Sequence, residues 1–251
     1  MFLLHELLFM SDALVIIPTY NEKENIEAII KATFNQKKEF DILVVDDNSP
    51  DGTSKIVERL MLEFPNRLFL EKRLGKNGLG TAYIHGFKWA LERDYEYVFE
   101  MDADFSHNPK DLLKLYEACK KDADVAVGSR YVKGINVINW SLYRILLSYG
   151  ASFYVRIITG MRVKDPTAGF VCYKRKVLEN LSLDTVRFIG YAFQIEMKFR
   201  AHLKGFKIEE VPIIFTDRVL GKSKMSSSII GEAVFGVIRI KYRSIFQKSK
   251  F

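Results

Sequence analysis

Two aspartates that follow an apolar run are the first candidates for chemistry in this sequence. Asp102 and Asp104 come directly after residues 95–101 (YEYVFEM), a run typical of a buried strand. Carboxylates two residues apart at a strand end can both reach one hard divalent cation, and phosphate oxygens can fill its other coordination positions. The alternative interpretation is an acidic loop that caps the next helix. These two residues alone leave both interpretations open.

A second acidic cluster and a glycine-rich segment are further candidates. Residues 46–53 (DDNSPDGT) follow the apolar run 41–46, and their alternative interpretation is a turn and a helix cap. Residues 75–80 (GKNGLG) lack the GK[ST] ending of a Walker A loop and do not follow the first strand, as a Rossmann fingerprint would. These glycines either let the backbone approach a ligand or belong to a mobile loop.

The elements that must position these residues alternate along the first half of the chain. Apolar runs typical of strands occupy residues 13–19, 41–46, 68–71, 95–101 and 125–127, and helical patterns separate them. This alternation predicts an α/β fold with a mostly parallel sheet flanked by helices. Ligands of such sheets bind at the carboxyl ends of the strands, where both acidic clusters fall. After about Arg130 the pattern predicts longer helices and a β-hairpin at 207–215.

The composition is that of a globular chain with excess positive charge. Its 251 residues, 48% hydrophobic and 27% charged, fit one large domain or a domain with a small appendage. The net charge of +7 favours phosphates or an anionic membrane surface. Without a recognisable module or aromatics within a basic stripe, nucleic-acid binding is not expected. Cys119 and Cys172, with no CxxC, exclude a disulfide framework and a structural metal site, and fit a reducing compartment.

Membrane contact is predicted to be peripheral. Residues 1–10 (MFLLHELLFM) lack a basic flank and a cleavage site, so a signal peptide is not expected. A transmembrane helix is not expected either, because the sequence has no window of about 18 uncharged apolar residues. Residues 226–251 predict a basic amphipathic tail at a membrane interface, and residues 140–158 a second contact. The alternatives are a docked terminal helix for the tail and a core helix for 140–158.

Seven motifs, taken together, are more specific than any one of them. They resemble those of the family-2 inverting glycosyltransferases, and most closely the dolichol-phosphate (polyprenol-phosphate) mannosyltransferases. The GLGTAY loop and the RxxGKSK element narrow the resemblance to this branch. In chain order the motifs are PTYNE (18–22), VVDDNSPDGT (44–53), GKNGLGTAY (75–83), MDADFSHNP (101–109), GSRY (128–131), DPTAGF (165–170) and DRVLGKSK (217–224).

The resemblance implies a GT-A-type nucleotide-sugar-binding fold and a domain organisation. Residues 13–225 would form the glycosyltransferase domain, with a nucleotide half at 13–130 and an acceptor half at 131–225. Residues 1–12 would be an N-terminal extension, and the amphipathic helical tail at 226–251 would associate with a membrane.

The resemblance also implies a donor site. Asp102 and Asp104, with the peptide of Ala103 between them, would bind Mg²⁺ or Mn²⁺ and the diphosphate. Arg218 and Lys224 would close over the phosphates from a mobile loop. The residues implied to hold the nucleoside of the sugar nucleotide are Pro18, Tyr20, Glu22, Val45 and Asp47.

An acceptor site is implied as well. Arg130, with Arg144 and Ser148, would receive the phosphate of a lipid, and Arg130 would also contact the nucleotide sugar. Asp165 in DPTAGF would orient the donor sugar or the arginines, although Asp-Pro-Thr is also an ordinary turn start. The predicted catalytic residues are therefore Asp104, Arg130 and Asp165.

Three residues near these motifs need separate comment. Many relatives carry Gln where this chain has Ser106, which argues against a third side-chain ligand for the metal. Lys222 replaces an acid of the closing loop, which strengthens its attraction for phosphate. His107 follows the acidic motif, and we interpret it as a structural residue or a loop contact.

The implied reaction moves mannose from GDP-mannose to a polyprenyl phosphate with inversion, giving polyprenyl phosphomannose and GDP at the cytoplasmic face of a membrane. A phosphate acceptor is largely ionised at neutral pH, so the reaction needs no strong general base. One alternative is UDP-glucose or another sugar nucleotide as donor with the same acceptor. Another is a non-catalytic subunit that binds nucleotide sugars, against which the intact DxD and RxxGKSK elements argue. Protein partners cannot be inferred from the sequence.

Overall fold

A computed structural model describes residues 11–218 and 227–246 of the chain. Most of the predicted N-terminal extension lies outside these residues, as do Lys222 and Lys224. The strands are β1 (Ala13–Thr19), β2 (Asp41–Asp46), β3 (Leu68–Lys72), β4 (Tyr97–Glu100), β5 (Val125–Ser129), β6 (Val137–Ile138), β7 (Val171–Lys174), β8 (Ile208–Pro212) and β9 (Phe215–Thr216). The helices are α1 (Ile26–Phe34), α2 (Thr53–Glu63), α3 (Leu79–Leu91), α4 (Leu112–Lys121), α5 (Leu142–Thr159), α6 (Arg175–Asn180), α7 (Tyr191–Leu203) and α8 (Ser227–Phe246).

Seven strands form the central sheet, in the order β3-β2-β1-β4-β7-β5-β8. Neighbouring strands are parallel except where β7 pairs with β4 and β5. β6 and β9 form a separate two-stranded parallel sheet. The predicted α/β fold with a mostly parallel sheet is therefore confirmed. The sheet is continuous across residue 130, because β7 and β8 complete the sheet that the first half begins.

Alternate residues of the central strands enter two core layers. In β1, Val15 and Ile17 pack on the face covered by α1, α2 and α4. Leu14 and Ile16 pack on the opposite face, which α3 and α7 cover. A strand covered on both faces reads as an unbroken apolar run, which explains the ALVII sequence at its start.

The predicted hairpin at 207–215 is wrong. β8 pairs in parallel with β5, and β9 pairs in parallel with β6 in the other sheet. The two residues between them are isoleucines, which do not favour a hairpin turn. The chain instead stays extended, and Ile213 donates its backbone N–H to the Ser129 carbonyl at 3.1 Å.

The antiparallel strand β7 was not predicted from the sequence, and it positions the DPTAGF motif. Val171, its first residue, pairs with Glu100, the last residue of β4. Because β7 begins where β4 ends, residues 165–170 enter the sheet beside the loop that carries Asp102 and Asp104.

Helix α5 exposes most of its apolar residues. Only Ser152, Val155 and Thr159 are buried, so the core-helix alternative for 140–158 is wrong. Val155 packs in a small cluster with Val237 and Ile240 of α8. None of the helices in the described part of the chain is long and apolar enough to cross a membrane.

Candidate active site at the carboxyl edge of the sheet

Asp102 and Asp104 lie in the loop that follows β4. The backbone N–H of Ser106 donates to Asp104 Oδ1 at 3.0 Å, and Phe105 between them adopts a φ of 62°. The Asp102 side chain is 37% exposed and that of Asp104 is 6% exposed. The tight turn keeps both carboxylates at one strand end, where the sequence predicts them.

The two carboxylates fit a cation that takes most of its ligands from a substrate. No three Asp, Glu, His or Cys side chains within 11–218 and 227–246 are grouped to hold a metal. Mg²⁺ and Mn²⁺ are commonly bound by one or two carboxylates plus substrate phosphates. Desolvation raises the pKa of Asp102; His107 opposes this rise and Asp104 adds to it. A bound cation favours the ionised carboxylate and therefore acts in the opposite direction.

His107 supports the loop that carries Asp102 and Asp104 from its buried side. Asp102 donates its backbone N–H to His107 Nδ1 at 3.1 Å. The imidazole is 3% exposed and stacks on Phe170 with ring centroids 4.9 Å apart. Phe170 ends the DPTAGF motif, so the ring joins that motif to residues 101–107, the loop that carries Asp102 and Asp104 and that we call the metal loop. This geometry agrees with the structural interpretation of His107.

Arg218 reaches the metal loop from the chain that leaves β9. Its guanidinium lies 3.0 Å from Asp104 Oδ2. Arg218 is therefore placed where it could contact a diphosphate bound beside Asp104. Lys224, the other residue predicted to close over the phosphates, lies outside the described residues.

Asp46 connects the loops that carry the predicted nucleoside residues. Its carboxylate accepts hydrogen bonds from Thr19 Oγ1 at 2.8 Å, Ser49 Oγ at 2.6 Å and Ser49 N at 2.9 Å. Ser49 Oγ in turn accepts from the backbone of Asn21 at 3.0 Å. The loops after β1 and β2 are thereby locked together.

The five predicted nucleoside residues lie at or near the adjacent carboxyl ends of β1 and β2, but they differ in exposure. Pro18 and Val45 are register partners on these strands. Val45 has no exposed surface, whereas Pro18 and Tyr20 are half-buried. Glu22 is buried and accepts a hydrogen bond from Asn25 Nδ2 at 3.0 Å.

Asp47 is paired with Arg73, a residue that the sequence analysis did not identify. Arg73 Nε donates to Asp47 Oδ1 at 2.6 Å, and its Nη1 donates to Thr81 Oγ1 at 2.7 Å. The Lys76 ammonium lies 4.7 Å from the centre of the Tyr20 ring. The glycine-rich segment is thus held against the predicted nucleoside site. Arg73 carried no motif signal, because it follows β3 in an otherwise ordinary stretch.

Arg130 and Asp165 form a buried, bidentate ion pair. Arg130 Nε donates to Asp165 Oδ2 at 2.7 Å, and Nη2 donates to Oδ1 at 2.6 Å and to Thr167 Oγ1 at 2.8 Å. Burial acts to raise the pKa of Asp165, but Arg130 outweighs it and holds the pKa below its usual value. Asp165 therefore orients the guanidinium, which is one of the two roles predicted for it.

The three predicted acceptor residues are brought together around two aromatic rings. The guanidinium carbons of Arg130 and Arg144 lie 5.6 and 4.2 Å from the centre of the Trp140 ring. Tyr131 OH donates to Ser148 Oγ at 2.7 Å, and its ring lies 5.2 Å from the Arg130 guanidinium. Two guanidinium groups near the same ring, together with a serine hydroxyl, could donate hydrogen bonds to a phosphate. The sequence placed Trp140 only in the predicted membrane contact at 140–158 and gave no sign of its position beside these arginines.

A buried polar network lies at the end of β4, next to the metal loop. The sequence did not predict it. Gln194 Nε2 donates to Glu100 Oε2 at 2.6 Å, and Lys198 Nζ donates to Gln194 Oε1 at 3.1 Å and to the Ala168 carbonyl at 2.6 Å. Burial raises the pKa of Glu100 to about 8 and lowers that of Lys198 to about 8. The network connects the end of β4 to the turn that carries Asp165. A helical spacing of four residues was its only sequence signal.

Curated relatives cover nearly all of the chain. It is 49% identical over 224 residues to polyprenol monophosphomannose synthase of Mycolicibacterium smegmatis. This alignment covers 89% of this chain and 84% of that protein. It is 46% identical over 226 residues to undecaprenyl-phosphate mannosyltransferase of Micrococcus luteus. This alignment covers 90% of this chain and 92% of that protein.

The fold also matches solved structures. A mannosyltransferase from Pyrobaculum calidifontis in complex with GDP-Man and Mn²⁺ aligns with a TM-score of 0.59 at 16% identity, covering 96% of this chain and 76% of that chain. This likeness concerns the fold alone. The model of glycosyl transferase family 2 matches residues 14–182, well over half of the chain. With relatives at 46–49% identity, these matches show that the chain belongs to glycosyl transferase family 2.

Proposed function

We propose that this protein transfers mannose from GDP-mannose to the phosphate of a polyprenyl phosphate, with inversion and with the help of Mg²⁺ or Mn²⁺. The observation that carries the proposal is the group of charged side chains near the carboxyl edge of the sheet. Arg130 and Arg144 both lie near Trp140, and the consecutive residues Asp217 and Arg218 form ion pairs with Arg144 and Asp104, respectively. The names of the 46–49% identical relatives support the same sugar and class of acceptor.

In this proposal residues 13–130 hold the donor. The nucleoside lies at the ends of β1 and β2, next to Tyr20 and Asp47, and the diphosphate lies beside Asp102 and Asp104. A divalent cation on these carboxylates would stabilise the charge that grows on the departing diphosphate. Arg218 contributes positive charge on the same side.

Residues 131–225, with Arg130, hold the acceptor. The bond from the anomeric carbon to the diphosphate breaks while an acceptor phosphate oxygen forms the new bond from the opposite face. This phosphate is largely ionised near neutral pH and needs no base to activate it. Arg130, fixed by Asp165, and Arg144, stacked near Trp140, orient the phosphate together with Ser148.

The protein would reach its lipid acceptor by peripheral contact at the cytoplasmic face of a membrane. Exposed apolar side chains line α5, and others lie on α8, whose buried Val237 and Ile240 pack in one cluster with Val155 of α5. Examples are Leu146 at 63%, Phe153 at 56%, Ile157 at 63%, Tyr242 at 59% and Phe246 at 67% exposure. Basic residues beside such a surface add about 1 kcal/mol each near anionic lipid. The tail at 226–251 would extend this contact.

The test measures sugar transfer to a short polyprenyl phosphate. Labelled GDP-mannose and labelled UDP-glucose are supplied in parallel, with and without Mn²⁺ or Mg²⁺. We expect a mannolipid only from GDP-mannose and only with the cation. Asp104→Asn should lose this product, whereas Asp94→Asn, which removes an exposed carboxylate between α3 and β4, should retain it.

Each other outcome contradicts a defined part of the proposal. A product from UDP-glucose alone would retain the acceptor and replace the donor. Transfer that survives metal chelation and Asp104→Asn would overturn the metal site. No product from either donor, despite nucleotide binding, would favour the non-catalytic alternative.

A further inference from the structure

Glu210 of β8 holds the start of the DPTAGF motif through two backbone groups. Its Oε2 accepts the N–H of Lys164 at 2.7 Å, and its Oε1 accepts the N–H of Asp165 at 2.9 Å. Hydrogen bonds to an ionised carboxylate are about twice as strong as those between neutral groups. The paired contact therefore fixes the backbone of Asp165 against β8. The sequence analysis did not identify Glu210.

The motif crosses the carboxyl end of β5. In the central sheet β5 lies between β8 and β7, and Val127 of β5 is the register partner of Glu210. At the end of the motif, the Phe170 carbonyl accepts the backbone N–H of Gly128 at 2.8 Å, just before β7 begins. The motif is therefore attached to β8 at its start and to β5 at its end. Arg130 follows β5 directly and lies where the motif crosses.

Lys198 of α7 holds the same motif at a second point. Its ammonium donates to the Ala168 carbonyl at 2.6 Å, and the side chain is fully buried. Ala168 donates its own N–H to the Asp165 carbonyl at 3.3 Å, which closes the turn. Because Lys198 remains in place when Glu210 is substituted, loss of Glu210 should displace the start of the motif without unfolding the turn.

The position of Asp165 determines the direction of the Arg130 guanidinium. Asp165 Oδ2 accepts the Nε and the backbone N–H of Arg130 at 2.7 and 3.0 Å, and Oδ1 accepts from Nη2 at 2.6 Å. With one carboxylate holding both ends of the side chain, the guanidinium must follow any displacement of Asp165. Glu210 thus acts on Arg130 through the backbone and then the carboxylate of Asp165.

We infer that Glu210 is a positioning residue for the acceptor, because by holding the backbone of Asp165 it aims the Arg130 guanidinium at the acceptor phosphate. The inference rests on the proposed function, in which Arg130 orients that phosphate. The contacts proposed for GDP and the cation lie at the ends of β1, β2 and β4 and do not involve Glu210. Loss of Glu210 should therefore weaken acceptor binding and leave GDP binding unchanged, a split that general damage to the fold would not produce.

The experiment measures acceptor binding and nucleotide binding separately. Citronellyl phosphate, a short prenyl phosphate, and GDP with Mn²⁺ are titrated calorimetrically into the full chain. GDP lacks the mannose that Arg130 could also contact. In Glu210→Ala the prenyl probe should bind about tenfold more weakly, below the roughly 100-fold that a displacement of about 1 Å can cost. GDP with Mn²⁺ should bind as it does to the unsubstituted protein, and the KM for the acceptor in sugar transfer should rise with the dissociation constant of the probe.

Two further variants separate position from charge. Glu209→Ala removes the neighbouring, exposed carboxylate of β8 and should retain both affinities. Glu210→Gln keeps one oxygen that can accept one of the two N–H groups, so it should recover part of the lost probe affinity. Removal of a negative charge by itself would tighten the binding of a phosphate. Weaker binding in Glu210→Ala therefore has the sign expected for displacement of Arg130.

Equal probe binding in Glu210→Ala and Glu209→Ala would overturn the positioning role while the proposed reaction stands. Tighter probe binding in Glu210→Ala would overturn it as well, because Glu210 would then act through its charge alone. Equal weakening of the probe and of GDP would show general damage to the fold instead, which thermal unfolding of the variants would also detect. If the probe binds to no variant and no sugar transfer occurs, the proposed acceptor fails and the positioning role fails with it.

Discussion

The metal loop and the two arginines proposed to bind the acceptor, Arg130 and Arg144, are held by different kinds of contact. The turn of the metal loop is set by contacts at most five positions apart, Asp102 with His107 and Asp104 with Ser106, although Arg218 also reaches Asp104 from the far end of the chain. Arg130 is held by a residue 35 positions away, and Arg144 by one 73 positions away. A short motif can specify a local turn by itself. The long-range ion pairs form only after the second half of the chain has folded onto the first.

The largest expected effect comes from breaking a long-range contact, the ion pair between Arg130 and Asp165. Asp165→Ala leaves a nearly buried Arg130 guanidinium without its partner, which should lower the free energy of unfolding by about 3–5 kcal/mol. Urea denaturation measures this loss, and sugar transfer should fall with it. The control is Asp94→Ala on the surface, which should unfold like the unsubstituted protein. Equal stability of the two variants would show that the pair does not hold the acceptor side together.

The same residue predicts a pH dependence. Its pKa is lowered in the folded protein from an ordinary value of 3.8. The stabilisation is therefore complete above that unfolded-state value and is lost as the pH falls through the lower folded-state value. Asp165→Asn should flatten this part of the acid unfolding curve. An acid limb of unchanged slope in the variant would contradict the assignment.

Among the short-range contacts of the metal loop, the substitution His107→Phe should weaken metal binding without unfolding the protein. Phenylalanine retains the stacking on Phe170 but cannot accept the Asp102 N–H, so the loop loses its support. Loss of such a supporting partner typically reduces metal affinity about 10- to 100-fold. The Mn²⁺ dependence of transfer measures this change, and His85→Phe on the surface of α3 is the control. If the half-saturating Mn²⁺ concentration equals that of the control, His107 does not support metal binding.

The proposed membrane face offers a third prediction on the acceptor side. Phe153→Glu should reduce binding to vesicles of phosphatidylcholine and phosphatidylglycerol by about tenfold or more, because burial of such a side chain contributes about 1.5–3 kcal/mol. Sedimentation with the vesicles measures the bound fraction. Leu62→Glu, at an 85% exposed position on α2, should bind as the unsubstituted protein does. Equal losses in both variants would show a general effect of charge.

The smallest expected effect concerns the brace between the β1 and β2 loops. Ser49→Ala removes one hydrogen bond to Asp46 and the acceptor of the Asn21 N–H, at a cost of about 1–2 kcal/mol. We expect GDP binding to weaken several-fold while binding of citronellyl phosphate alone is unchanged. Calorimetry with each ligand checks both, with Ser54→Ala as the control. Equal weakening of both ligands would mean that the two regions are not separately held.

Much of the fold could be predicted because its signals are local. The apolar runs at 13–19 and 41–46 became β1 and β2 with the predicted bounds, since strands buried on both faces require continuous apolar sequence. The wrong hairpin at 207–215 shows the limit of such signals. An extended apolar segment does not reveal which strand it will pair with, and here β8 pairs with β5, about 80 residues earlier.

The sequence by itself determined that the chain has an α/β sheet and that Asp102 and Asp104 stand at the end of a strand. It also carried the motif set whose family match the comparisons confirmed. Only the tertiary structure decided that Asp165 holds Arg130 and that Trp140 lies near two arginines. It also decided that Gln194 and Lys198 of α7 connect the end of β4 to the turn that carries Asp165. The reason is physical: a strand or turn is specified by neighbouring residues, whereas a buried ion pair depends on how distant segments pack.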